Sequence, residues 1–378
     1  MSLGWSLIAL ALLALNGYIG FCLWRMPFRS HRRRKALICQ VVHVGLTVPC
    51  LYYFYRFFSH RAGTHLTDLL SYEAAFCLMT LIYGALFFLL ADLVRLLGRR
   101  VRYPLTLRSF AARLYRQGLP VFLAAALVAG YSLYHSRDLE VTSYSLALPR
   151  GSSSLSSLRA VLVADTHIGT AVKIPELEQM VATIQALEPD VVFLCGDLFD
   201  EGTTDQQIEQ ACAQLGSLQT RYGIYAVSGN HDHTSGRMAQ AKALLEQAGI
   251  CLLADETVTV EDAFVLAGRL DDASGQRAPL ESVLAGAPSH LPLLLLDHRP
   301  KYQEPAQDGR VDLLLCGHTH NGQIFPMNLF DFLPTLFYGS YEKDGLQTVV
   351  TCGAGTWGIP ARLGSSREVV LLDLTLTP

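Results

Sequence analysis

A chain of 378 residues has room for about two domains of roughly 100–200 residues each. Its hydrophobic fraction of 51% and mean hydropathy of +0.28 exceed the usual soluble range of about 45–50%, which places part of the chain in lipid. A net charge of −3 excludes a general nucleic-acid footprint, and no nucleic-acid partner is expected.

Four apolar stretches, about 3–24, 36–55, 74–94 and 119–135, fill a region of transmembrane helices over 1–136. A bilayer core takes about 20 apolar residues per helix, with a lower limit near 17. The fourth stretch is close to that limit, and Pro120 suits a helix start. A cleaved signal peptide fits the first stretch poorly, because "MSLGWS" has no basic segment ahead of the apolar run. Asp92, beside Arg95 near the end of the third stretch, reads as interfacial, and no transport pathway is evident.

Charge sets the orientation. "RMPFRSHRRRK" follows the first stretch, and Arg95, Arg99, Arg100, Arg102, Arg108, Arg113 and Arg116 follow the third. The loop between the second and third, "FFSHRAGTHLTDLLS", carries only Arg61 against Asp68. Basic loops stay in the cytoplasm. The expectation is a multi-pass protein of a plasma or inner membrane, with both ends and the rest of the chain extracytoplasmic.

Residues 137–157 read as a linker, its end the Gly/Ser-rich "LPRGSSSLSSLR" of 148–159. From 158 to 378 the pattern is α/β. Apolar strand-like runs such as "RAVLVAD", "DVVFLCGD", "GIYAVSGN", "LPLLLLDH" and "VDLLLCGH" alternate with helical-period segments at 174–188, 205–219 and 237–248. The extra strands are enough for two packed sheets. The nine cysteines form no CxxC pair; Cys195 and Cys316 end strand-like runs, where a small thiol packs well.

Five of these runs end in metal-capable residues: Asp165 and His167, Asp197 and Asp200, Asn230 to His233, His298, and His318 with His320. In α/β sheets ligand sites form beyond the carboxyl ends of the strands, so these side chains can converge. Clustered aspartates repel one another unless a cation neutralises them. Imidazole mixed with carboxylate suits Mn, Fe, Zn or Co better than an all-oxygen Ca or Mg cage. Each block alone is weak, since D-x-H is common and GNHD can be a turn with a helix cap. Five in this order, each after an apolar run, are not.

The ordered set "DTH…GDLFD…GNHD…DH…GHTH" resembles the calcineurin-like metallophosphoesterase superfamily over about 158–378. "GHTHNGQ" and "GAGTWGIPARLGSSREVVLLDL" look like its membrane-anchored branch. The resemblance implies a four-layer α/β/β/α sandwich and a phosphoric ester hydrolase with two divalent transition-metal ions, Mn favoured. By motif, Asp165, His167 and His320 would hold one ion and Asn230, His298 and His318 the other, with Asp197 shared. A hydroxide bridging the ions would attack phosphorus, and His231 would protonate the leaving oxygen. Asp232 is expected to orient the His231 ring, and Asp200 to support the metal-site loop. Thr166 and Arg299 depart from the common pattern, where Leu or Ile and Asn are frequent. His233, Arg299 and Arg362 stand as candidate substrate contacts.

The expected substrate is phosphorylated, and a short tether to the membrane favours lipid head groups or lipid-linked diphosphates. The rival readings are a membrane-localised hydrolase of soluble phosphoesters, a catalytically silent metal-binding interaction module, and a transporter or receptor with an accessory phosphoesterase.

Overall fold

The computed structural model describes residues 3–24, 30–59, 65–97, 106, 109, 118–169, 171–332 and 337–378. The chain divides into two units, Met1–Tyr134 and His135–Pro378.

The N-terminal unit holds helices α1 (Leu3–Trp24), α2 (Ser30–Ser59) and α3 (His65–Leu97), and most of α4 (Leu119–His135). Each of the four apolar stretches falls within one of them. Among the described residues, Ser71–Leu97 is long and apolar enough to cross a membrane, whereas Leu12–Leu23, Leu37–Tyr52 and Leu119–His135 are shorter apolar helices. The unit is apolar on both its inner and its outer faces. Ala74, Ala75, Met79, Phe88, Ala125 and Ala129 are buried between helices, while Leu13, Val41, Val48, Leu123 and Leu127 are exposed. Among the described residues, interhelical hydrogen bonds join the pieces: Asn16 donates to Thr47 at 3.0 Å, and the Tyr18 hydroxyl donates to Asp92 at 2.8 Å. Arg95 approaches the same Asp92 carboxylate at 3.3 Å.

The C-terminal unit contains two six-stranded mixed sheets. The first runs β1 (Leu139–Pro149), β12 (Arg367–Thr377), β2 (Ser157–Val163), β3 (Val191–Cys195), β4 (Ile224–Val227) and β5 (Ile250–Leu252). The second runs β10 (Gly339–Lys343), β11 (Leu346–Val350), β9 (Leu313–Cys316), β8 (Leu293–Leu296), β7 (Phe264–Gly268) and β6 (Glu256–Val260). Strands β2 to β5 are parallel, as are β7, β8, β9 and β11.

The linker expected at 137–157 is corrected. Residues 139–149 form the edge strand β1, parallel to β12 from Leu139 opposite Arg367 to Pro149 opposite Thr377. Its sequence, "LEVTSYSLALP", alternates polar and apolar residues because only one face is covered. That pattern lacks the continuous apolar run by which strands buried on both faces are recognised.

Side-chain alternation along the strands builds three apolar seams. Val161 and Val163 of β2 and Val192 and Leu194 of β3 pack on helices α5 (Ile174–Ala186), α6 (Asp205–Leu215) and α8 (Met238–Gln247), the last two flanking the one-turn α7 (Asn230–Thr234) in the chain. Their neighbours Ala160, Leu162, Val191 and Phe193 point the other way, to Phe264, Leu266, Leu294 and Leu313 of the second sheet. The outer face of that sheet, including Val265, Leu295 and Leu314, is covered by α9 (Leu280–Leu284) and α10 (Gln303–Asp308). The four-layer α/β/β/α order follows. It brings the carboxyl ends of β2, β3, β4, β8 and β9 to one rim.

Candidate metal centre

The loops that leave these strands are held in unusual backbone conformations. Asp165, His167, Asp197, His318 and His320 all have positive φ, between 45° and 76°. Non-glycine residues rarely adopt that region, and their clustering marks a site whose geometry is imposed by its surroundings. Two glycines give the carboxylates room. A Cβ on Gly229 would lie 2.2 Å from Oδ1 of Asp197, and one on Gly317 would lie 2.4 Å from Oδ2 of Asp165.

Two donor sets result, Asp165 with His167 and His320, and Asp197 with His298 and His318. In the first, Nε2 of His167 lies 3.1 Å from Nε2 of His320, which is 3.5 Å from Oδ1 of Asp165. In the second, Nε2 of His298 lies 3.1 Å from Oδ2 of Asp197 and 3.2 Å from Nδ1 of His318. The Oδ2 atom of Asp197 also lies 3.9 Å from Nε2 of His167, so Asp197 faces both sets. The backbone amides of His318 and His231 donate to the second oxygens of Asp165 and Asp197, at 2.9 and 2.7 Å.

These groups fit cations. The Nδ1–H of His298 donates to the Cys195 carbonyl at 2.9 Å, which fixes the ring with Nε2 directed at Asp197 and His318. Oδ1 of Asp165, Nδ1 of His167 and Oδ1 of Asn230 are buried without a hydrogen-bond partner among the described residues. Burial pushes Asp165 up to about 7, with the Asp197 charge adding to it. Burial alone would lower His298, yet the neighbouring Asp197 carboxylate lifts it to about 10. His167 and His318 are lowered to about 3, chiefly by burial, and His320 falls well below its ordinary value for the same reason. Mixed imidazole and carboxylate donors at this density suit divalent transition ions.

His231 borders the first set, its ring centroid 5.1 Å from that of His167. The expectation that Asp232 orients this ring is corrected. Asp232 instead accepts from the amides of Phe199 at 3.0 Å and Gly229 at 2.8 Å, tying two site loops together. The partner of His231 is Glu201, whose Oε1 lies 2.8 Å from Nδ1. Burial would lower His231, but the Glu201 hydrogen bond and the Asp197 charge raise it. The sequence signal for Glu201 was an acid beside Asp200, with nothing to say which of three nearby carboxylates reaches the ring. Trp357 was also missed, and its ring centroid lies 5.3 Å from that of His231.

The remaining expected residues divide. Asp200 accepts from the Gly202 amide at 2.7 Å and so braces its own loop. The Nε2 of His233 lies 2.8 Å from the Ser228 hydroxyl. Arg299 is gripped by Asp271 at 2.7 and 3.2 Å, and its Nη1 lies 3.5 Å from Nε2 of His318. Arg362 is corrected as a substrate contact, because it is fully buried. Its guanidinium donates to the carbonyls of His320 at 3.1 Å, Cys352 at 2.7 Å and Gly355 at 2.6 Å, joining the His320 loop to the Gly353–Gly358 loop from behind.

The calcineurin-like phosphoesterase family matches residues 158–322. The chain is 30% identical over 368 residues to "Transmembrane protein with metallophosphoesterase domain" of Danio rerio, spanning 92% of this chain and 81% of that protein. A match of that breadth takes in most of the N-terminal unit. The Bos taurus protein of the same name is 32% identical over 282 residues, 70% of this chain and 63% of that one. An uncharacterized metallophosphoesterase of Helicobacter pylori strain J99 is 32% identical over 224 residues, 57% of this chain and 60% of that protein. The chain thus spans less than two thirds of the bovine and Helicobacter pylori relatives. At the identity and coverage of the Danio rerio match, the chain belongs to the calcineurin-like metallophosphoesterases, hydrolases of phosphoesters that normally bind two divalent metal ions.

Proposed function

We propose that the protein is a membrane-anchored phosphoesterase whose C-terminal unit lies outside the cytoplasm and hydrolyses phosphoester or diphosphate bonds of lipid head groups or lipid-linked diphosphates. The observation that carries the hydrolase reading is the shared position of Asp197, one of whose oxygens faces both donor sets. Asp165, His167 and His320 would hold one ion, Asn230, His298 and His318 the other, and Asp197 both. Manganese is favoured among Mn, Fe, Zn and Co. When bound, such a pair supplies Lewis acidity toward phosphoryl oxygens and makes water acidic.

The chain's own side chains do the rest. With Nδ1 of His231 engaged by Glu201, its Nε2 is the atom that holds the proton for the leaving oxygen. Trp357 packs on the same ring and limits its rotation and hydration. Arg299, oriented by Asp271, and His233 at the rim bind the substrate anion.

Support for the membrane comes from the Ser71–Leu97 helix, from the apolar outer faces of α1–α4, and from the basic loops that alternate with the apolar stretches. Two relatives carry "transmembrane" in their names. We read all four apolar stretches as spans. Residues 136–138 alone connect α4 to β1, a connection far shorter than a linker of 137–157, and this favours a substrate at the lipid surface. Hydrolysis of bis-p-nitrophenyl phosphate by the full chain with added Mn²⁺ tests the enzyme reading. It fails if no metal-dependent turnover occurs on generic phosphoesters and Asp197→Asn changes nothing. Equal rates on lipid vesicles and water-soluble analogues would favour soluble phosphoesters instead.

A further inference from the structure

The turn that follows His320 is apolar, exposed and held in shape. Residues 321–330, "NGQIFPMNLF", contain no charged side chain. Phe325, Met327 and Leu329 are 38%, 53% and 58% exposed. Soluble surfaces scatter such residues singly, and their concentration on one turn marks an interaction site.

The turn is anchored at its base. Phe325 N–H donates to the Leu363 carbonyl at 2.7 Å, and Leu363 N–H donates back to Gln323 at 3.0 Å. The side-chain Nδ2 of Asn328 donates to the Gly364 carbonyl at 2.9 Å. The apolar side chains are therefore presented by a braced main chain. The same base touches the metal centre. Gln323 N–H donates to the His320 carbonyl at 2.9 Å, and the Gln323 side chain donates to the Trp357 carbonyl at 3.1 Å.

We propose that Phe325, Met327 and Leu329 form a membrane-insertion element that seats the C-terminal unit on a phospholipid surface beside its metal centre. This rests on the membrane-anchored phosphoesterase reading above and adds to it the means by which lipid head groups reach the site. A bilayer is the occupant because the same chain carries the Ser71–Leu97 helix, which keeps lipid at high effective concentration around any tethered segment. Three side chains give only weak, reversible insertion by themselves, and a second signal of this kind is what a tethered domain needs. The uncharged run imposes no cost of burying ions at the lipid boundary.

The test uses the full chain in phosphatidylcholine vesicles. Met327→Trp adds a fourth tryptophan to Trp5, Trp24 and Trp357, and its emission is obtained by difference from the unsubstituted protein. The expected result is that this added emission falls by about half or more in lipid brominated along its chains and resists aqueous acrylamide. Quenching by acrylamide alone places the turn in water and overturns the proposal. Resistance to both quenchers places it against protein, and overturns it equally.

A second variant reads function. Phe325→Ser, Met327→Ser and Leu329→Ser together should lower turnover of a vesicle-embedded phosphoester about tenfold while leaving bis-p-nitrophenyl phosphate hydrolysis unchanged. Equal loss on both substrates, or loss on neither, rejects the insertion role. If the unsubstituted protein hydrolyses neither substrate, the phosphoesterase reading has failed, and the quenching result still decides insertion.

Discussion

Oε1 of Glu201 lies 2.8 Å from Nδ1 of His231 and also accepts the Thr234 hydroxyl at 2.9 Å. The carboxylate is thus fixed from one side and fixes the imidazole from the other. Glu201→Gln should lower kcat about 10- to 100-fold while bound metal stays at the unsubstituted level. Steady-state kinetics alongside elemental analysis check this. Unchanged kcat would show that the pair has no part in turnover.

Asp197 belongs to one donor set and lies 3.9 Å from His167 of the other. Asp197→Asn should reduce the content of both ions together and cost more activity than the about 10–100-fold typical of an outer partner of a metal ligand. Loss of one ion with retention of the other would separate the sets. Chelation of the unsubstituted protein should lower its unfolding free energy by about 2.7 kcal/mol for each ion removed, relative to metal at a hundredfold excess over Kd. Chemical denaturation with and without chelator measures the difference.

In a fully buried position, Arg362 donates through its two terminal nitrogens to main-chain carbonyls that include those of His320, Cys352 and Gly355. Arg362→Met leaves those oxygens unsatisfied at about 1–3 kcal/mol each, less whatever relaxation recovers. The urea midpoint should fall and the His320 side of the site should bind metal more weakly. Lysine should not restore either property, because one ammonium cannot reproduce a planar fork of donors.

Strand β1 predicts where the C-terminal unit can be cut. A fragment beginning at residue 136 keeps the β1–β12 ladder, whereas one beginning at 157 uncovers eleven residues of β12 from Arg367 to Thr377. The shorter fragment should aggregate and show faster amide exchange along β12, since an uncovered strand edge is a template for pairing. Equal solubility and protection of the two fragments would rule this out.

The parallel strands were legible because burial on both faces leaves them almost purely apolar, as "VVFLC" and "LLLL" show. Their polar ends were legible for the same reason, since Asp165, Asp197 and His298 each stand two positions past such a run. Strand β1 was not, because an edge strand with one covered face can carry Ser and Thr freely. Glu201 takes the part expected of Asp232 because one-turn helix α7 decides which carboxylate meets the ring and which meets the amides. Arg362 looked like a substrate contact from its charge, and only the packing of two loops around it shows its terminal nitrogens turned to buried carbonyls.

Five of the donors stand in left-handed backbone that their own residue types disfavour. Their placement is therefore enforced by the sheets, the glycines and the Arg362 clamp. A transplant of the seven side chains onto another scaffold would carry the chemistry of the donors without their aim. To move this centre, the loops and the strand rims that bend them have to travel with it.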